Sequence, residues 1–67
     1  MTGTIIELPR FARPGTIQRE DGRMFKFQSR RLKNATIETI SLGQEVSFED
    51  EENSFGLFAA DIYVLPL

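Results

Sequence analysis

The sequence predicts an all-β domain, a small barrel or sandwich of five antiparallel strands. Three observations carry that expectation. Short runs rich in β-branched and aromatic residues recur between turn signals along the whole chain, which is the pattern of paired strands. Asp21-Gly22 sits between two such runs, and Asp-Gly is a preferred tight hairpin turn. Helix is hard to place anywhere. The least strand-like segment, Leu32 to Leu42, carries Thr36, Ile37, Thr39 and Ile40, whose branched side chains lose rotamer freedom in a helix.

The elements follow in order. Gly3 to Leu8 reads as the first strand, because Thr4, Ile5 and Ile6 favour extended backbone. Pro9 and Pro14 bracket a loop that holds Phe11 between Arg10 and Arg13. Gly15 to Arg19 is the second strand and Met24 to Ser29 the third, with Phe25 and Phe27 on one face. Arg30 to Leu42 is a long connection, a short turn and then a loop, that ends at Gly43. Gln44 to Glu49 is the fourth strand, with Val46 and Phe48 on one face, and Asp50 to Gly56 is an acidic loop.

Leu57 to Leu65 is the fifth strand, and it is apolar on both faces. Phe58, Ala60, Ile62 and Val64 share one face; Leu57, Ala59, Asp61, Tyr63 and Leu65 share the other. Only one face lines a barrel. Leu57, Tyr63 and Leu65 are therefore a candidate surface for a protein partner or a homodimer. A bulge, or the first loop packed on that face, would cover it instead.

The third strand has two registers. A two-residue Asp-Gly turn pairs Gln18 with Phe25 and Ile17 with Lys26, which exposes Phe25 and Phe27 and buries a cation. A longer turn or a bulge near Asp21 puts both rings in the core. Burying an unpaired Lys is costly, and a small barrel needs its phenylalanines, so the second register is favoured.

Sixty-seven residues make one domain, residues 1–67. A chain of this size buries only about 60% of its unfolded surface. It has no Cys and no His, so disulfides and a zinc site are excluded and stability must come from packing. No apolar stretch approaches the roughly 20 residues of a membrane span, and a cytoplasmic location is expected. Without His or Cys the common catalytic bases and nucleophiles are missing, so no enzymatic activity, cofactor or metal is expected. Glu49 to Asn53 lacks the ligand spacing of a calcium loop and reads as a solvated charge run.

The charge distribution is the more informative feature. All eight basic residues lie between Arg10 and Lys33, against only Glu20 and Asp21. From Glu38 onward every charged residue is acidic. A basic half is the footprint of a phosphate-binding surface; the other reading is self-neutralisation of the two halves by solvated ion pairs.

Five strands, a tight hairpin and a long connection between strands three and four suggest an oligonucleotide-binding-type barrel. Within that frame Gly3-Thr4-Ile5, Gly15 with Ile17, Leu32, Thr39-Ile40 with Gly43-Gln44-x-Val46-Ser47-Phe48, and Gly56-x-x-Ala59-Ala60-x-Ile62 together resemble the bacterial cold-shock domain family. The resemblance covers nearly the whole chain without gaps. It implies binding of single-stranded RNA or DNA on an aromatic platform. Most of that platform is replaced here. The first-strand Trp becomes Glu7, the two Phe of the glycine-rich motif become Pro14 and Thr16, the third-strand set becomes Lys26, Gln28 and Ser29, and a loop aromatic becomes Ile37. What remains is a surface in which charge and hydrogen bonding stand in for stacking. Its candidate nucleic-acid-binding residues are Arg13, Thr16, Lys26, Gln28, Ser29, Arg30 and Arg31, with Arg19 and Lys33 as further phosphate contacts. Candidate stacking rings are Phe25 and Phe27, if outward, and Phe11, which otherwise anchors the first loop to the barrel end. The alternative function is a protein-interaction module that kept the fold and lost the ligand.

Overall fold

The strand runs expected from the sequence pair into a closed barrel in a computed structural model that describes residues Met1–Leu67. The strands are β1 (Thr2–Glu7), β2 (Gly15–Arg19), β3 (Met24–Phe27), β4 (Glu45–Asn53) and β5 (Gly56–Val64), in the barrel order β1-β2-β3-β5-β4. Alternate side chains point inward. Ile5, Ile17, Phe25, Phe27, Val46, Phe48 and Ile62 are completely enclosed, and Phe25 lies against Phe48 with ring centroids 5.0 Å apart.

The all-antiparallel expectation is corrected at one seam. Four neighbouring pairs are antiparallel, and β3 runs parallel to β5. The reason is parity. Strand direction cannot alternate all the way round a closed ring with an odd number of strands, so at least one seam must be parallel. A parallel pair needs a long crossover, and the chain makes it through the segment from Gln28 to Gln44 followed by β4. That segment opens with a 3₁₀ turn at Ser29–Arg31, so β3 ends at Phe27, two residues earlier than expected. It then prolongs the parallel seam. Lys33 N–H donates to the Ile62 carbonyl at 2.8 Å. The Asn34 side chain both donates to Val64 O (3.0 Å) and accepts from Val64 N–H (2.8 Å).

The β2–β3 register is the one that buries the phenylalanines. Gly15 pairs with Phe27, Thr16 with Lys26, Ile17 with Phe25 and Gln18 with Met24. Arg19 N–H bonds to Arg23 O, and Gly22 N–H to Arg19 O, so the loop is Glu20-Asp21-Gly22. Gly22 has φ +90°, the left-handed position of a three-residue hairpin loop. One residue more than the Asp-Gly dipeptide implies leaves Lys26 outside the barrel. Phe25 and Phe27 are therefore core residues and offer no ring to a base.

Two further expectations change in the fifth-strand region. The segment expected as an acidic loop is mostly strand. Asp50 to Asn53 pair with Ala59 to Gly56, and only Ser54 and Phe55 form the turn. In β5 a bulge breaks the alternation. Ser47 pairs with Tyr63 and Glu49 with Ala60, so two steps on β4 face three on β5. Asp61 takes up the extra residue at φ +49°, a region that Asp tolerates better than most residues. The phase of the strand flips there, so Ala59, Ala60 and Ile62 are all buried, with Leu57 and Val64 packed beside them.

Gly15 shows how tightly the barrel closes. A Cβ at this position would lie 2.6 Å from the Phe27 ring and 2.7 Å from the Glu7 carbonyl oxygen. Backbone and core both block it. Gly15→Ala is expected to lose about 1–3 kcal/mol through overpacking, read as a lower urea midpoint at unchanged slope.

Candidate nucleic-acid interface

Directly paired residues in a sheet share a face, and the barrel's pairings line up one outward row. It runs Glu7, Thr16, Lys26, Phe58, Glu51 across β1, β2, β3, β5 and β4. Lys26 is exposed, flanked by half-buried Thr16 and Phe58. The carboxylates end the row, and each has a partner. Thr16 Oγ1 donates to Glu7 Oε1 at 2.9 Å, and Arg31 Nη2 donates to Glu51 Oε1 at 2.9 Å. Of the residues singled out in the sequence, Glu7, Thr16 and Lys26 thus share one outward face.

Two recesses flank this row and meet at Gln28. The first, about 280 Å³, is lined by Gln28, Arg30, Arg31, Glu51, Phe55 and Phe58, among others. Arg30 Nε donates to Gln28 Oε1 at 2.7 Å, which leaves the Gln28 amide nitrogen and the rest of the guanidinium to a ligand. Phe55 is 85% exposed at the β4–β5 turn, and its N–H donates to Asn53 Oδ1 at 2.7 Å. The second recess, about 330 Å³, lies between the first loop and the end of β3, and Arg10, Arg13, Gln28 and Ser29 supply its polar lining.

That first loop is a small tight turn. Arg10 and Arg13 exchange both backbone hydrogen bonds at 2.9 Å. Phe11 and Ala12 form the tip, with Ala12 at φ +64°. This conformation costs a non-glycine residue about 1–2 kcal/mol. Phe11 is 100% exposed. It anchors nothing, which excludes the loop-packing role and leaves its ring free.

The other expected residues distribute as follows. Arg13, Gln28, Ser29 and Arg30 are exposed beside the row, Ser29 and Arg30 on the 3₁₀ turn. Arg31 is on the same turn but held by Glu51. Arg19 is paired with Asp21 at 2.8 Å and Lys33 with Asp61 at 3.6 Å. Five basic side chains form no ion pair, namely Arg10, Arg13, Arg23, Lys26 and Arg30, and all but Arg23 border the row or its recesses. Ile37 is exposed in the long connection.

The bulge narrows the partner surface expected on the fifth strand. Leu57 turns inward onto the core, Leu65 is half-buried, and Tyr63 is 39% exposed. The residues that sequence reasoning missed are Phe55 and Phe58. Strict alternation groups Phe58 with the buried Ile62, and only the bulge separates them.

The strand order, the parallel β3–β5 seam and the long crossover are consistent with an oligonucleotide-binding-type barrel. Neither a protein-family model nor a curated sequence matches the chain. No helix is long and apolar enough to cross a membrane.

The Arg31–Glu51 pair is partly exposed on both sides, so its contribution to stability is expected to stay below about 1 kcal/mol. A double-mutant cycle with Arg31→Gln and Glu51→Gln, followed by urea unfolding, measures it.

Proposed function

We propose that this barrel binds single-stranded RNA or DNA across the outer face of β2 and β3, as a divergent relative of the cold-shock domain. One observation carries the reading: unpaired cations and accessible phenylalanines border the same outward row. Arg13, Lys26 and Arg30 form no ion pair, and Phe55 and Phe58 line the recess that Gln28 shares with them. In oligonucleotide-binding barrels the face of strands 2 and 3, with the loops joining strands 1–2 and 4–5, takes the ligand. Here those elements carry Lys26, Phe11 and Phe55.

The mechanism follows from the groups present. Phosphates meet Arg13, Lys26 and Arg30. Bases stack on Phe58 and Phe55, and base–aromatic stacking contributes about 1–3 kcal/mol per base. Thr16, Gln28 and Ser29 supply hydrogen bonds to sugar, phosphate or base edge. Glu7 and the acidic β4 limit the path, since phosphates are repelled at either end of the row. Binding is weak, tolerant of sequence and steeply salt-dependent. A cytoplasmic setting goes with this reading. The competing role as a protein-interaction module relied in part on the fifth strand, where Leu57 packs on the core and Tyr63 remains exposed.

Fluorescence anisotropy of a labelled single-stranded oligonucleotide, titrated at about 50 mM and about 200 mM salt, tests the reading. Micromolar binding that weakens steeply between the two is expected; no binding at the lower salt overturns it. Two variants separate charge from stacking. Lys26→Gln with Arg30→Gln should flatten the log–log salt slope by about 0.7 for each phosphate no longer neutralised. Phe58→Leu keeps apolar bulk but removes the ring, and should weaken binding at both salts while leaving the slope unchanged.

A further inference from the structure

We propose that Arg10 and Arg13 form a seat for a phosphate monoester, occupied by the terminal phosphate of a bound strand. The occupant rests on the nucleic-acid reading; the seat rests on the turn itself. Arg10 and Arg13 are an antiparallel bridge pair that exchanges both backbone hydrogen bonds. Side chains of such a pair leave the backbone on the same side, and both of these line the same recess. Two like charges held opposite each other are unfavourable by themselves. No carboxylate lines the recess, and neither guanidinium has an ion-pair partner anywhere in the chain. The remaining polar lining is Gln28 and Ser29, and the Ser29 hydroxyl makes no hydrogen bond within the protein.

The chemistry that satisfies this set is a compact anion with several acceptor oxygens. Guanidinium groups match phosphate geometry with paired N–H donors. A monoester carries close to two negative charges near pH 7, which balances two arginines; an internal diester brings only one. The seat also lies at one end of the proposed path. Gln28 lines both recesses, so a strand whose bases lie on Phe58 and Phe55 reaches the seat with its last phosphate. Recognition of a strand end would set this barrel apart from one that binds the interior of a strand alone.

The test compares three otherwise identical DNA octamers carrying a 5′-phosphate, a 3′-phosphate or hydroxyls at both ends. Affinities are measured by competition against a labelled octamer at one fixed salt concentration. One phosphorylated octamer is expected to bind about tenfold tighter than the hydroxyl-ended one, the increment typical of hydrogen bonds to charged groups. That ratio should fall to about one in Arg10→Gln and in Arg13→Gln, and persist in Lys26→Gln. Equal affinities for the three octamers overturn the seat, as does a ratio that survives both arginine variants. Binding by the hydroxyl-ended octamer reports separately on the nucleic-acid reading. Should only a phosphorylated octamer bind, the seat stands and the stacking face does not.

Discussion

The side of β3 taken by its two phenylalanines decides both the core and the outer surface. Ile17 opposite Phe25 and Gly15 opposite Phe27 put the large rings inside, Phe25 against Phe48 and Phe27 where its ring edge passes the Gly15 backbone. Strand alternation then leaves Met24, Lys26 and Gln28 outside. A one-residue slip would reverse every one of these assignments. It would place the Lys26 ammonium in an apolar interior, where an unpaired charge is not tolerated. The basic face is therefore the other side of the same pairing that builds the core.

Parity and the bulge shape the rest of that face. Five strands in a closed ring require a parallel seam, and the seam falls where β5 meets β3. This sets Phe58, from the far end of the sequence, beside Lys26. The extra residue at Asp61 lets one strand turn Phe58 outward and Ile62 inward. Aromatic surface absent from the first three strands is supplied in part by the fifth strand and the turn before it.

The segregated charge along the chain is only partly neutralised by folding. Two ion pairs join the basic and acidic halves, Arg31 with Glu51 and Lys33 with Asp61, while Glu49, Asp50 and Glu52 pair with nothing. The acids occupy an edge of β4 that β1 covers only from Glu45 to Ser47. Carboxylates there discourage strand addition by another chain. They also border the face on which most of the unpaired cations lie, so attraction and repulsion act on neighbouring parts of the surface.

The sequence by itself determined an all-β chain of five strands, the hairpin at Asp21-Gly22, and the shared inner face of Val46 and Phe48. These are local properties: β-branched runs, a turn dipeptide, and the alternation of side chains along a strand. The burial of Phe25 and Phe27 was legible only through the cost of burying Lys26, because turn length sets the register and the dipeptide is compatible with more than one length. Phe55, Phe58 and Arg10 were not legible as site residues, and neither was the pairing of Arg10 with Arg13. Their placement depends on which strand lies next to which, on one bulge in β5, and on a turn closed across the first loop. Only the tertiary structure decided those, since each arises from pairing between distant segments and leaves no period in the sequence.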